Sequence, residues 1–554
     1  MKNLKFKKLL AGLLVTTCVT GLMTGCGNTA NNEESKSSSV VSNVEKTSES
    51  KVEESKVEEK ETEVTYPLEL DKEVTLSFAM WGTAAALSGT DYKGISETPF
   101  AEEWQRATGV KVKFEEYADA TAMNLMIAGG ELPDIIFFNF NQYNGGIAKA
   151  LDDKVAVALN DYMEFAPDFA DVINSNENYR KAVTTSDGSI MGFPLIYGET
   201  ACLNSLGFQI RKDFLDQIGE ELPETADDFY NVLKAFKEEL GVEIPFSVYT
   251  PYLYSYGLEA GLLTSPFGLP KCDFYVDEDE VHYGYYQQEF KDVLIYLNKL
   301  YDEGLMDPNF ATVEIDTQRG NMMNGVIGVT MDTRGRISAQ KQTMIDHPTF
   351  DLAGFGSLVA EEGDVAMSCM YGNPVSSYYA VITPACENIE VAMQFLNYGY
   401  SEEGHRLMNF GIEGDNYTLV NGEVVYTKEY TEAFAANSNV QKGYHRSWTG
   451  FPFVQEFDDR LLIEEQVKAQ EAWANADAAK YQLPAITIPE TDMSEYTKIM
   501  GDVKTYAKEM AVRFISGLED MDNFEKVYLA ELEKMGIEKV LEIVQTAYDE
   551  YNSR

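Results

Sequence analysis

The stretch ETADDFYNVLKAFKEELG, Glu224–Gly241, reads as one amphipathic helix. Thr225 with Asp228 three residues on suits an N-terminal cap. Phe229, Val232, Leu233, Phe236 and Leu240 fall on a single apolar stripe, and Gly241 supplies a stop. QEFKDVLIYLNKLYDEGLMDP (Gln288–Pro308) repeats the design, with Gly304 and Pro308 as its stop signals. Between and around such helices the pattern changes to short β-rich runs. NGVIGVTMD (Asn324–Asp332) and SSYYAVIT (Ser376–Thr383) lie downstream. Upstream are EVTLSFAMWG (Glu73–Gly82), the alternating VKVKFEEYA (Val110–Ala118) and PDIIFFNF (Pro133–Phe140), with the helix PFAEEWQRATG (Pro99–Gly109) among them. Strands alternating with helices predict an α/β fold with buried strands. A second set of elements begins near IMGFPLIYGE (Ile190–Glu199), and residues 494–551 read as helical almost throughout.

Length and charge bound the function. The chain has 554 residues, enough for two to four units at about 150 residues each. Its 44 Lys+Arg stand against 91 Asp+Glu, a formal net charge of −47. That balance argues against nucleic acid, whose phosphates need a basic footprint, and against a folded domain lying flat on anionic lipid. Beyond Cys18 and Cys26, the cysteines Cys202, Cys272, Cys369 and Cys386 are scattered without zinc-ligand spacing, and so are the four histidines. No metal or cofactor is expected. VDEDEVHYG is rejected as a calcium loop, because His282 stands where such a loop needs glycine; an exposed acidic turn is expected instead. No glycine-rich nucleotide loop or nucleophile elbow occurs.

The first residues have a separate logic. Lys2, Lys5, Lys7 and Lys8 precede a short apolar run, and small residues lead to Cys26. This is the layout of an export signal. Met23-Thr24-Gly25-Cys26 resembles the bacterial lipobox, which implies that Cys26 is lipidated and becomes the mature N-terminus. The Ser-, Glu- and Lys-rich run that follows, with SKVEE in tandem at Ser50–Glu54 and Ser55–Glu59, buries too little apolar surface to fold and is expected to be a disordered tether.

Several strings in order resemble one family. GFQIRKDFLDQIGEELPETADDFYNVLKAFKEE, GGELPDIIFF, AVTTSDGSIMGFPLIYGE, LYDEGLMDPNFAT and GIEGDNYTLVNGEVVYT are similar to stretches of the extracellular solute-binding lipoproteins of bacterial ABC importers, in the branch associated with oligosaccharides. Asn523-Phe524 departs from the pattern, where many relatives have an aromatic such as tryptophan.

The resemblance implies a periplasmic-binding-protein-like type II fold: two α/β lobes joined by a multi-crossing hinge, with a helical C-terminal region. The expected division is a signal peptide at 1–26, a tether at 27–65, lobe one at 66–195 and 350–405, and lobe two at 196–349 and 406–554. It further implies a monomer, lipid-anchored on the extracellular face of the membrane, that captures a carbohydrate between its lobes and delivers it to an ABC importer permease, with no catalysis of its own. A tethered glycoside hydrolase and a surface adhesin or sensory partner are the rival classes.

Sugar recognition needs flat aromatic faces and planar polar groups, which selects the candidates. Trp81 ends the first strand, where α/β ligand sites lie, and lobe-edge packing is its alternative. Asn139 and Asn141 follow the strand IIFF; they bind hydroxyls or cap the next helix. Tyr197 and Glu199 lie at the suspected crossing. Arg334 suits a bidentate contact, or else an ion pair with Asp332. Tyr371 and Asn373 occupy a loop before a strand. Tyr444 and Trp448 lie in an aromatic loop with His445, which is expected to be unengaged.

Overall fold

The structure, a computed structural model, describes residues 63–81, 86–368, 372–446 and 451–554. The expected signal, Cys26 and nearly all of the expected tether lie outside the described residues.

Two mixed sheets organise the chain. The larger contains β1 (Thr75–Trp81), β2 (Lys111–Tyr117), β3 (Ile135–Asn139), β4 (Phe193–Tyr197), β11 (Val375–Ile382) and β14 (Val454–Gln455), in the order β14-β4-β11-β3-β1-β2. The smaller contains β5 (Leu206–Arg211), β6 (Ile244–Phe246), β9 (Ile327–Thr333) and β10 (Leu352–Phe355), in the order β10-β5-β9-β6. Two hairpins, β7 (Phe274–Asp277) with β8 (Glu280–Tyr283) and β12 (Tyr417–Val420) with β13 (Glu423–Tyr426), stand apart from them.

The strand directions place the functional edge. In the larger sheet only β11 runs against its neighbours, so β1, β2, β3, β4 and β14 share one carboxyl edge. In the smaller sheet β6, β9 and β10 run together and β5 opposes them. The chain leaves β4 for β5, β10 for β11, and β14 for the helix Glu464–Ala474. All three crossings depart from strand carboxyl ends. Both sheets therefore turn those ends towards the crossings, the position where open α/β sheets hold ligands.

Each sheet has its own core. Around the larger one, Phe78, Trp104, Phe137, Phe193, Phe395 and Phe451 pack together. Around the smaller one, Phe208, Phe229, Phe246 and Phe355 pack with residues from the C-terminal helices Glu490–Ile515 and Ile537–Ser553. The helix Glu464–Ala474 approaches β5 and β10 so closely that glycine is required: a Cβ on Gly207 would lie 2.4 Å from the Trp473 indole, and one on Gly354 would lie 2.3 Å from Ala469 Cβ. The opening stretch folds as read. Helix Ala226–Glu238 is capped by Thr225, whose hydroxyl accepts from Asp228 N while Asp228 accepts from Thr225 N at 2.9 Å.

Two expected boundaries change. The strand Leu352–Phe355, assigned in advance to lobe one, ladders with β5 of the smaller sheet. Leu407, Met408, Phe451, Phe453 and β14, assigned to lobe two, join the larger sheet and its core. IMGFPLIYGE likewise adds a strand to the larger sheet rather than opening a second set. Periodicity identifies a strand, but its partner sheet depends on contacts hundreds of residues away. Behind the crossings, the C-terminal helix also reaches the larger unit: Arg554 Nη1 donates to Thr184 O at 3.1 Å, and Lys181 Nζ lies 5.6 Å from the Tyr551 ring centre.

VDEDEVHYG is the β7–β8 hairpin, with Glu278 and Asp279 at φ 48° and 66° in its turn. Such angles at both central residues are those of a tight type I′ turn.

Candidate functional site

The smaller sheet's wall begins where β6 ends. The chain turns through Tyr249 into a short helix, Thr250–Tyr252, and then a π-helical turn, Leu253–Leu258. Such turns are frequent at functional sites. Here the turn sets Tyr249, Tyr252 and Tyr256 in an edge-to-face ladder, with ring centres 5.1 and 5.5 Å apart. Pro251, which lacks an N–H, sits in the first turn of the short helix, where none is needed.

The Gln318 side chain ties the helix Ile315–Met323 to this wall. Its Oε1 accepts from Tyr249 N, and its Nε2 donates to Met331 O at 3.2 Å. The next residue, Arg319, grips Asp332 with two bonds: Nε to Oδ2 at 2.8 Å and Nη2 to Oδ1 at 2.9 Å. Tyr252 stands in their field. Burial and the Asp332 charge push its phenol up to about 12, against the opposing pull of Arg319 and Arg336.

A shallow pocket opens at the foot of the ladder, lined by Asn204, Leu206, Tyr256, Ser357, Ser368 and Trp473 among others. Leu203 and Asn204 come from the first crossing and Ser357 and Ser368 from the second, while Trp473 lies near the end of the helix that follows the third. Ser357 and Ser368 hydroxyls lie 2.9 Å apart, and Trp473 Nε1 donates to Phe208 O at 3.3 Å. Its lining combines apolar and aromatic side chains with the two serine hydroxyls and Asn204, a combination suited to a polyol with apolar faces.

The opposing wall belongs to the larger sheet. Trp81, half-buried at the end of β1, meets the Phe138 ring edge-on at 6.0 Å. Asn139 ends β3, and its Oδ1 accepts from Asn141 N at 3.1 Å and Ser377 Oγ at 2.8 Å. It thus caps the turn Phe140–Gln142, while the Asn141 residue is exposed. Tyr197 N donates to Pro374 O at 2.7 Å, which brings Asn373 beside the β4 exit. Glu199 is exposed on the first crossing, and its charge helps burial raise the Glu456 carboxyl. Tyr444 is half-buried, with its ring 6.2 Å from that of Tyr430.

Asp332 is held by Arg319, not by Arg334. Arg334 is 1% exposed, its Nη1 donates to Gln470 Oε1, and its guanidinium lies 4.5 Å over the Phe457 ring. Its place is in the packing of the third crossing. His445 is engaged rather than idle: it is buried, and its Nε2 lies 3.3 Å from Tyr430 Oη. Tyr371 and Trp448 lie outside the described residues, as does Cys369. Cys202, Cys272 and Cys386 are buried as thiols.

The sequence reading passed over the tyrosine ladder and Arg336. A usable signal was present in YTPYLYSYG, where tyrosines recur around a proline directly after a strand. Among the described residues, no three His, Cys, Asp or Glu gather as a metal centre, and no helix is long and apolar enough to cross a membrane.

Comparison with known proteins identifies the family and the fold. The family described as bacterial extracellular solute-binding protein matches residues 89–406. Lipoprotein LipO of Bacillus subtilis is 28% identical over 346 residues, 59% of this chain and 65% of LipO; the chain thus spans just under two thirds of that relative. The fructooligosaccharide ABC transporter substrate-binding protein FusA of Streptococcus pneumoniae is 22% identical, over 88% of this chain and 92% of its own. The polygalacturonan/rhamnogalacturonan-binding protein YtcQ of B. subtilis is 24% identical, over 66% and 74%. Among solved structures, FusA in complex with kestose superposes with a TM-score of 0.68 at 20% identity, covering 86% of this chain and 99% of that one. A solute-binding protein from Bifidobacterium longum infantis, described as binding HMO, gives 0.69 at 19% identity, covering 87% and 99%. These likenesses establish the α/β periplasmic-binding-protein-like fold.

Proposed function

The chain belongs to the bacterial extracellular solute-binding proteins, a family of binding proteins rather than enzymes, and from that premise we propose that it captures an oligosaccharide between its two sheets and delivers it to an ABC importer permease. One observation carries the reading. Both sheets turn their carboxyl ends towards three shared crossings, with Trp81 on one side and the Tyr249–Tyr252–Tyr256 ladder on the other. Aromatic rings at the carboxyl ends of both sheets suit pyranose or furanose rings, and Asn139, Asn141, Tyr197, Glu199, Asn373 and Tyr444 are the polar candidates along the larger sheet.

The lobes we propose are residues 66–199 with 375–456, and 206–356 with 464–554, hinged at the crossings. Closure follows from contacts that a ligand makes with both lobes and that the open state lacks. The ligands named for FusA and YtcQ support a saccharide as ligand, and between them they span neutral and acidic chains.

We also propose that Cys26 is lipidated and holds the protein at the outer face of the membrane. The Met23–Cys26 motif behind a basic and apolar run supports this, as does the similarity to the lipoprotein LipO. Mass spectrometry of the protein from membranes is expected to find diacylglycerol on Cys26, and Cys26→Ser to release the protein into the medium.

The deciding experiment is calorimetric titration with a panel of defined oligosaccharides, followed by a check of each ligand for cleavage. Saturable binding at micromolar affinity or better, about −8 kcal/mol, with the ligand intact is the expected result. Cleavage would replace the reading with that of a hydrolase.

A further inference from the structure

In a chain of formal net charge −47, the ends of the two sheets collect cations. Arg319 and Arg336 lie on the smaller sheet's side. Lys442 belongs to the segment Ser438–Gly443, which packs on the chain following β1: its Nζ donates to Ser88 O at 2.6 Å, and Gly443 abuts the Tyr92 ring. Lys442 is held below the usual ammonium range first by burial and then by the positive charge of Arg336, which brings the two walls into one field.

Arg336 differs from its neighbours. Arg319 is occupied by Asp332. Arg336, on the third residue of the helix Arg334–Thr343, is half-buried, and among the described residues its guanidinium meets no acceptor, carboxylate or aromatic ring. Burial lowers its pKa and Arg319 lowers it further; Asp332, Tyr252 and Asp316 oppose them. Asp332 is already bound, and Asp316 is exposed to solvent on the helix Ile315–Met323.

A half-buried guanidinium without a partner loses hydration that nothing else among the described residues replaces. A ligand carboxylate would replace it. The planar fork of N–H donors matches a carboxylate with two parallel bonds, which a neutral hydroxyl cannot do. Arg336 follows the end of β9 by three residues, and Gln318 ties β9 to Tyr249 of the ladder through Tyr249 N and Met331 O, so the fork and the ladder belong to the same wall.

Resting on the saccharide reading above, we propose that Arg336 determines specificity by receiving the carboxylate of a uronic-acid-containing oligosaccharide. The same anion screens the repulsion between Arg336 and Lys442, so an acidic chain also favours approach of the two walls. A neutral chain leaves that repulsion in place.

The test uses trimers of galacturonic, glucuronic and mannuronic acid, each beside its carboxyl-reduced neutral counterpart, in calorimetric titrations. At least one acidic trimer is expected to bind tenfold or more tightly than its neutral partner, with the preference shrinking as salt rises. Arg336→Gln is expected to erase the preference by weakening acidic binding while neutral binding, relieved of the repulsion with Lys442, becomes no weaker; Arg336→Lys, which keeps the charge but not the fork, retains part of the preference. Thermal unfolding of both variants near the wild-type midpoint verifies their fold. Equal or tighter binding of the neutral partners, or a preference that survives Arg336→Gln, overturns the inference and leaves saccharide capture standing. Binding of no saccharide at all overturns both.

Discussion

Arg319 and Asp332 form a two-bond ion pair whose carboxylate is wholly buried, at the point where β9 delivers the chain to the candidate site. Removing one partner leaves the other charge in a dry setting. Arg319→Met is expected to cost about 3–5 kcal/mol of stability in denaturant unfolding. The double variant Arg319→Met/Asp332→Leu is expected to recover much of that loss. A double variant no more stable than Arg319→Met would show that the pair matters for something other than charge compensation.

Gly207 offers a sharper steric test. Any side chain there meets the Trp473 indole, which lines the pocket. Gly207→Ala is expected to destabilise by about 1–3 kcal/mol and to weaken saccharide binding, since the indole must shift. Thermal unfolding and titration of the same sample separate the two effects.

The helix of the opening stretch depends on its cap. Thr225→Ala removes the acceptor for Asp228 N and is expected to cost about 1 kcal/mol in chemical denaturation. Thr225→Ser, which keeps the oxygen, is expected to restore most of it.

His445 gives a pH dependence. Burial, and then the charge of Arg446, lower its pKa to about 3. In the unfolded chain the imidazole titrates near 6.5. Between those values the unfolded state binds a proton that the folded state refuses, so stability is full above about pH 6.5 and falls as the pH drops towards 3. This residue contributes a slope of up to about 1.4 kcal/mol per pH unit. His405, lowered to about 4 by burial and Arg406, adds a second contribution of the same sign. Unfolding free energies of wild type and His445→Gln between pH 7 and 4.5 are expected to converge as the pH falls.

The elements were easier to read than their assembly. Helix Ala226–Glu238 and strands β1, β2, β3, β9 and β11 follow from apolar period and capping chemistry, which are local. The sheet to which Leu352–Phe355 or Phe453 belongs is not local, and there the advance boundaries failed. The site divides in the same way. Trp81 and Asn139 are found by asking what stands at the end of a strand. Arg334 misled because its place after β9 resembles that of a ligand-binding arginine, while the space for its guanidinium is made by Phe457 and Gln470, far along the chain. Arg336, two residues on, carries the same chemistry in the sequence. Only packing separates the one that is enclosed from the one left without a partner among the described residues.

The insertion of β11 between β3 and β4 has a consequence for biogenesis. Ser377 and Asn139, joined by a 2.8 Å hydrogen bond, stand 238 residues apart. The larger sheet therefore cannot close until the chain through β11 has emerged from the export machinery, and its edge strand β14 arrives later still. Contacts of such long sequence separation form slowly, because a long loop must be ordered before they repay it. While they are missing, β3 and β4 present unpaired edges. The molecule's most vulnerable period is thus the interval after translocation, when an extracellular chaperone or protease meets a half-built sheet.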